Sequence, residues 1–476
     1  LNLRKWYALR GAGYVYRRAA ILLGRYGLIP SKAIDRVESL IATLAEYGCA
    51  PTLPTPGYVV ERYPHFIRHL QEMGAEIAVH GYDHVDFRAY SPAEAEEQLK
   101  KAAEIFSQHG IEVCGFRCPY LSCADDLLDL LPNGRFNYSS NKAIWWDVSY
   151  PTEAHNGTPI CDVLNRLYKP ASANDVVCTP WTHSNMVEIP VSLPDDLQLH
   201  DGLHLGPEGI TQVWSQILHR THRRGELFVL QFHPELAWRC QQPLVTLLRE
   251  ATCLQPPVWI ARLREISDWW REKSGFSVAI SHIPAGLHIS FICSERATIL
   301  VRGLGTCDSK RVWDGAYYQL RTRTLDVPAE PHPFVGLPAN APRRMVSFLC
   351  EQGYILDIGE MATRCATYID ATTLAGLISE VELIDYIEAS PGPLIRYWRW
   401  PGAARSAMCV TGDLDALTLL DYASRLLVRQ VGSAVRPCKK SRGRKADTLL
   451  SLKPSHFGEA GHRSTSADWD PQGGAK

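Results

Sequence analysis

Two hydrophobic rhythms alternate along the first half of the chain, and that alternation restricts the folds open to it. Ile34, Val37, Leu40, Ile41 and Leu44 fall on one helical face, with Ser31 as a candidate N-cap and Gly48 as the stop. Phe66, Ile67, Leu70 and Met73 mark a second helix that ends at Gly74. Ser91, Pro92 and Glu94 form a capping box that opens a third, ending at Gly110. Between and after these helices come short apolar runs at 50–53, 77–79 and 113–116. A further helix carries Ile210, Val213, Trp214, Ile217 and Leu218, and the nearly all-apolar Leu227–Phe232 follows it. Short apolar runs of this kind read as strands buried on both faces. The expected architecture is α/β: parallel strands covered by helices, in an open sheet or closed into a barrel.

Composition sets the outer limits. With 476 residues, 46% hydrophobic and 21% charged, the chain is globular, with room for two or three domains. A formal net charge of -1 supplies no global field for nucleic acid. The 14 cysteines are scattered, without paired C-x-x-C knuckles, as in a protein with reduced thiols. No apolar run is long enough to span a bilayer, and no signal peptide is visible. A cytoplasmic protein without an integral membrane segment is therefore expected. The chain begins at Leu1 rather than Met, which leaves room for an upstream segment.

Four regions follow from changes in pattern. Residues 1–275 make the α/β unit, with a basic, aromatic opening at 1–23 read as a helix packed on its own domain. Within it, 121–208 is rich in turn formers and reads as long loops over a site, with one strand over 187–193. Residues 276–390 hold short β-like runs separated by Gly, Pro and Asp, then a helix over 371–389, and read as a β-rich accessory domain. After Pro391-Gly392-Pro393, residues 391–429 return to a strand and a helix. The tail, 430–476, is rich in Lys, Arg, Ser and Gly and is expected to be disordered.

Polar residues just past the ends of buried strands are where α/β folds place their chemistry. The segment EIAVHGYDH runs from Glu76 to His84, so His80 ends a strand and His84 follows four residues later. Neutral imidazoles suit a divalent transition metal such as zinc. The spacing alone is weak, because His65/His69 and His200/His204 share it, but those pairs lack a preceding apolar strand. A second strand end reads Gly115-Phe116-Arg117-Cys118-Pro119-Tyr120, and a third strand ends at His233.

Taken in order, these three strand ends resemble the polysaccharide deacetylase family, the NodB-homology fold of carbohydrate esterase family 4, over roughly residues 30–240. The resemblance implies a distorted (β/α) barrel that binds a divalent metal, usually zinc, and removes N- or O-acetyl groups from a carbohydrate substrate. It places metal ligation on His80 and His84. In the R-x-P-Y segment it assigns Arg117 to bracing the catalytic carboxylate and the backbone N–H of Tyr120 to the oxyanion. Trp145, Trp146 and Asp147 become candidates for lining the substrate groove, and His233 the general acid for the leaving amine. The residue types match the task. A metal polarises the acyl carbonyl and acidifies water, a carboxylate takes a proton, and an imidazole returns one.

Two departures from the family pattern stand out. The family carries leucine two residues before the late histidine, and this chain has Gln231. The family's opening T-F-D-D-G is also missing, since residues 19–27 hold no carboxylate. A similar signature occurs at the other end, where SAMCV leads into Thr411-Gly412-Asp413-Leu414-Asp415. The expectation is a circularly permuted barrel in which the 407–410 strand sits beside the strand ending at His80, or beside its neighbour. Asp415 is then the third metal ligand and Asp413 the base, though the two could exchange roles. Asp195 and Asp196 are second candidates, and the plainer alternative for TGDLD is a turn with an N-cap. The leading function is a metal-dependent deacetylase. The alternatives are a non-catalytic carbohydrate-binding relic or a metal-dependent amidohydrolase acting on a non-sugar amide.

Overall fold

A computed structural model describes residues 22–122, 135–151, 159–305 and 310–423. Residues 1–21 of the basic opening and the whole 430–476 tail lie outside them. The apolar runs become strands of one twelve-stranded sheet curled into a half-barrel. Its order from one edge is Ala171–Ser172, Ala143–Trp145, Val191–Leu193, Leu227–Phe232, Ser406–Gly412, Thr52–Thr55, Glu76–Val79, Gly115–Phe116, Tyr138–Ser139, Met186–Glu188 and Trp181–His183, and Val258–Ile260 also pairs with Ser406–Gly412. All of these pairings are parallel except the last edge pair, Trp181–His183 with Met186–Glu188.

The C-terminal strand lies well inside the sheet. Ser406–Gly412 is buried along its whole length. It runs in register with Leu227–Phe232, from Leu227 opposite Ala407 to Phe232 opposite Gly412. On its other side Thr411 pairs with Thr52. The strand ending at His80 is one place further along, paired with Thr52–Thr55. A strand buried on both faces requires an unbroken apolar run, which the sequence AMCV supplies.

Helices cover the outer face. Val213, Trp214, Ile217 and Leu218 of helix Pro207–Arg224 share a core with Leu230, Phe232, Met408 and Val410. Leu99 and Phe106 of helix Pro92–Gln108 share another with Leu53, Ile77 and Val79. The Ser91–Glu94 capping box is formed. Ser31, expected as an N-cap, is the first helical residue, and Pro30 takes the cap position.

The single strand expected over 187–193 is two. Met186–Glu188 joins Tyr138–Ser139, whereas Val191–Leu193 joins Ala143–Trp145 and Leu227–Phe232. Pro190 separates them, and its missing N–H breaks the ladder there. Ile189 still donates to Ser139, but Val191 donates to Lys142. The expected helix over 371–389 is likewise two, Ala371–Gly376 and Glu380–Ala389. Ser379 starts the second by accepting from the Glu382 N–H.

Three small sheets occupy the middle of the chain. Ser277–Ile283, Gly286–Ile292 and Thr324–Val327 form an antiparallel one. Lys310–Asp314, Tyr317–Leu320, Ile299–Arg302 and Leu394–Tyr397 form a second. Leu356–Ile358, His332–Leu337 and Cys365–Tyr368 form a third, which is parallel. The chain crosses back to the half-barrel between Tyr397 and Ser406. Among the described residues no helix is long and apolar enough to cross a membrane.

Candidate active site

The site forms at the ends of Leu227–Phe232, Ser406–Gly412, Glu76–Val79 and Gly115–Phe116, four of five consecutive strands in the sheet. After Val79 the chain turns at Gly81, whose φ is 73° and whose Cβ would lie 3.0 Å from the Phe87 ring. His80 is thereby fixed, with its Nδ1 2.8 Å from the Arg117 carbonyl oxygen. A carbonyl only accepts, so Nδ1 carries the proton and Nε2 keeps its lone pair. That Nε2 is buried and has no hydrogen-bond partner among the described residues.

The C-terminal strand delivers two carboxylates to the same place. Gly412 allows it, because a Cβ there would sit 3.2 Å from Pro234 and 3.3 Å from Leu53. Beyond it the Asp413 N–H donates to the Phe232 carbonyl at 3.3 Å and the Leu414 N–H to the Pro54 carbonyl at 2.8 Å. The backbone is therefore tied to both neighbouring strands, and Tyr58 Oη donates to the Asp415 carbonyl. Asp415 Oδ1 lies 3.1 Å from His84 Nε2 and 3.5 Å from His80 Nε2. Donor atoms of His80, His84 and Asp415 all lie within 4.8 Å of one another, and all three residues are buried.

This donor set fits a divalent transition metal. Two neutral imidazoles and a carboxylate are the three protein ligands of many catalytic zinc sites. The carbonyl partner of His80 is the kind of outer contact that orients a ligating imidazole. His80, His84 and Asp415 would hold the ion.

Asp413 stands next to this group, with Oδ2 3.9 Å from His80 Nε2. Arg117 Nη1 donates to its Oδ1 at 2.9 Å, and Gln231 Nε2 donates to its Oδ2 at 3.0 Å. Arg117 is fully buried. Its remaining contacts go to Thr411 Oγ1 at 2.9 Å, the Ser140 carbonyl at 3.2 Å and Ser140 Oγ at 3.0 Å. Such a pair is costly to break, because the survivor is an uncompensated buried charge.

His233, from the strand on the far side of Ser406–Gly412, is held by Asp196. Its Nδ1 lies 2.8 Å from Asp196 Oδ1, and its backbone N–H donates to Oδ2 at 2.6 Å. Burial alone would lower the imidazole pKa, but the Asp196 carboxylate outweighs it and raises that pKa well above the ordinary histidine value. Asp195 turns away from this pair. It accepts from Tyr168 Oη at 2.9 Å and from the Gln198 N–H at 2.8 Å. Burial and the neighbouring Asp196 charge push its pKa up to about 7.

Tyr120 edges its ring against His84 at 4.6 Å and has a φ of 62°. Left-handed backbone at a non-glycine residue is uncommon and marks a local constraint. Trp146 is buried in the core with Trp214, Trp145 is half-buried, and Asp147 is exposed with its carbonyl bound by Arg220. None of these three touches the histidines through a described contact. His65 and His69 are exposed on helix Pro64–Glu72.

Several contributors carry no motif. Glu188 accepts from Ser139 Oγ, and from the Asn141 and Lys142 N–H groups at 2.7 Å each, which fixes the turn that holds Ser140 against Arg117. Asn141 Oδ1 in turn accepts from the Cys118 N–H at 2.6 Å. Thr411 was legible only as the first residue of its motif. No spacing in the sequence points to Ser140, Asn141 or Glu188. A cavity of about 970 Å³ has Ser122, Asn141, Tyr168 and Trp181 in its wall, but none of His80, His84, Asp413 and Asp415.

Residues 32–137 match the family profile described as polysaccharide deacetylase. A peptidoglycan deacetylase-like protein of Gibberella zeae is 30% identical over 126 residues, 26% of this chain and 35% of its own length. The chain thus spans about a third of that curated relative. A solved structure assigned to the polysaccharide deacetylases, from Mycobacterium smegmatis, is 21% identical with a TM-score of 0.39 over 51% of this chain and 78% of that one. A second, from Pseudomonas aeruginosa PAO1, is 18% identical with a TM-score of 0.38 over 50% and 72%. It is residues 32–137, the stretch that carries His80, His84, Arg117 and Tyr120, that match the polysaccharide deacetylase family.

Proposed function

We propose that the protein is a metal-dependent deacetylase that removes N-acetyl, or O-acetyl, groups from a carbohydrate. One observation carries this reading. His80, His84 and Asp415 converge on one point while Asp413, clamped by Arg117 and Gln231, stands beside it. A divalent metal such as zinc, bound there, would polarise the acyl carbonyl and acidify water.

The residues of the chain supply the rest. Asp413 takes a proton from the attacking water as the new C–O bond forms. Arg117 and Gln231 hold both its oxygens, so the carboxylate does not swing. The backbone N–H of Tyr120 is assigned to the acyl oxygen as negative charge develops on it. His233, kept protonated by Asp196, gives its proton to the leaving nitrogen as the C–N bond breaks. The products are acetate and a free amine, and the proton on Asp413 restores His233 through solvent. Trp181, in the wall of the cavity that Asn141 also lines, offers a ring for a sugar face. The Thr411–Asp415 segment is read as the family's opening strand end, displaced to the other end of the chain.

Gln231 motivates the non-sugar alternative, but its amide is engaged with Asp413, which removes the reason for preferring a more polar acyl group. The test is an assay of zinc-loaded protein on N-acetylglucosamine oligomers, following acetate release, with small aliphatic amides in parallel. Acetate from the oligomers supports the proposal. Zinc retention without turnover on any acetylated sugar would indicate a binding protein, and turnover of the amides alone would indicate an amidohydrolase.

A further inference from the structure

Outside the half-barrel, the parallel three-stranded sheet gathers one imidazole, one carboxylate and one thiol. We infer that His332, Asp357 and Cys365 form a second metal site, and that it takes zinc.

The geometry begins with the strand register. His332 opens the central strand, and Cys365, which opens a flanking strand, is its direct partner. Asp357 lies on the opposite flank, paired with Gly336 of the same central strand. Gly336 is what lets the flanks close over the middle. A Cβ there would fall 3.1 Å from the Cys365 Cβ and 2.1 Å from the Ala362 carbonyl oxygen. With no side chain at 336, the donor atoms of His332, Asp357 and Cys365 come within 4.8 Å of one another.

The distances favour a shared ion over a hydrogen-bonded pair. His332 Nδ1 and Asp357 Oδ2 are 3.7 Å apart, which is too long for a hydrogen bond. Ligand atoms around one tetrahedral zinc sit roughly 3.3–3.8 Å from each other, given bond lengths of about 2.0–2.3 Å. Cys365 is buried, while the side chains of His332 and Asp357 are 14% and 27% exposed, so the cluster has a closed floor and an open side. An ion can enter from that side, and water can fill the fourth position. Calcium and magnesium prefer all-oxygen shells, whereas a thiolate with an imidazole selects zinc among the common divalent ions. Binding displaces one proton from the Cys365 thiol to solvent.

Cobalt(II) gives a direct test, because only a thiolate ligand produces a sulfur-to-cobalt charge-transfer band in the near ultraviolet. The half-barrel group has nitrogen and oxygen donors alone, so it cannot give that band. Full-length protein, stripped with a chelator, is titrated with Co²⁺ and then with Zn²⁺. The expected result is a charge-transfer band that zinc abolishes, that survives in His84→Ala, and that is lost in Cys365→Ser with the fold retained by circular dichroism. Bound zinc should fall by one ion per chain in Cys365→Ser. His332→Ala, with the fold checked by circular dichroism, should weaken zinc binding at this site at least tenfold. Absence of the band in the wild-type protein, its persistence in Cys365→Ser, or unchanged zinc affinity in His332→Ala would each overturn the assignment.

Discussion

Gln231 on Leu227–Phe232 and Asp413, one residue past the end of the adjacent strand, share a hydrogen bond of 3.0 Å, from Nε2 to Oδ2. The other carboxylate oxygen is held by Arg117, so Asp413 is gripped from two sides. The Gln231 Oε1, by contrast, is buried with no hydrogen-bond partner among the described residues. These two facts pull stability in opposite directions. Gln231→Leu removes a bond to a charged group, worth about 1.5–3 kcal/mol, but it also removes an unsatisfied acceptor that costs about 1–3 kcal/mol. Stability should therefore change by less than about 1 kcal/mol, while turnover falls roughly tenfold as Asp413 loses its second anchor. Thermal melts and acetate-release rates measured on the same variant separate the two effects. An unchanged rate would remove Gln231 from the catalytic machinery.

His84 contacts Asp415 and the Tyr120 ring. His84→Ala should lose most of the half-barrel metal while the fold stays intact. Elemental analysis in a Cys365→Ser background, which disables the second site, gives the occupancy, and circular dichroism the fold. Full occupancy at this site in the variant is the outcome that would rule His84 out as a ligand.

Asp196 fixes the position of His233 and its charge. In the proposed role of general acid His233 works only while protonated, so activity should fall as pH rises through its pKa. Burial lowers that pKa, and Asp196 more than restores it. Asp196→Asn removes the restoring charge, and the alkaline limb of the rate profile should move to lower pH. His233→Ala should lower turnover by about 10²–10⁴ with metal retained. If metal is lost with His233, the imidazole is a ligand and the proton donor lies elsewhere.

Asp195 makes stability depend on pH. Its pKa is raised from 3.8 to about 7, first by burial and then by the Asp196 charge. Between those values the folded chain keeps a proton that the unfolded chain has released. Stability therefore falls as pH climbs from about 4 to about 7. Asp195→Asn abolishes this linkage, so urea midpoints measured across that window should vary less than in the wild-type protein. An identical slope in both proteins would mean that Asp195 titrates normally.

The sequence carried the parts of this site that sit directly at strand ends. His80, Arg117, His233 and Asp413 each follow a short apolar run, and strand direction alone brings such residues to one rim. The support behind them was not legible. Asp196 and His233 are far apart in the chain, and nothing in local spacing joins them. Ser140 and Glu188 meet Arg117 only through a turn whose own strands are two or three residues long. Short strands are also why 187–193 read as one segment, since periodicity over so few residues cannot reveal that Pro190 sends its halves to different neighbours. Gln231 looked like a change to the acyl pocket, because a sequence shows a side chain's polarity but not the partner that absorbs it.

The final prediction concerns the chain's own C-terminus as a structural element. Ser406–Gly412 lies between Leu227–Phe232 and Thr52–Thr55, and each neighbour would become an edge without it. Met408 and Val410 are buried in the helix-side core, and Ala407 and Cys409 in the core on the opposite face. Burying each large apolar side chain contributes roughly 1.5–3 kcal/mol, and a whole domain is stable by only about 5–15 kcal/mol. Loss of this strand also leaves buried N–H and C=O groups of two other strands unpaired. Arg117 would lose Asp413 at the same time and be left as a buried lone charge. A chain ending at Pro393 should thus be at most partly folded and bind no metal at the half-barrel site, whereas a chain ending at Gln430 keeps every element named here. Hydrogen exchange offers a check that does not depend on activity. The amides of Leu227–Phe232 and Thr52–Thr55 should be strongly protected in the longer truncation and exchange rapidly in the shorter one. Strong protection in the chain ending at Pro393 would mean that the half-barrel folds without this strand, and Asp195 or Asp196 would then have to replace Asp415 beside the histidines.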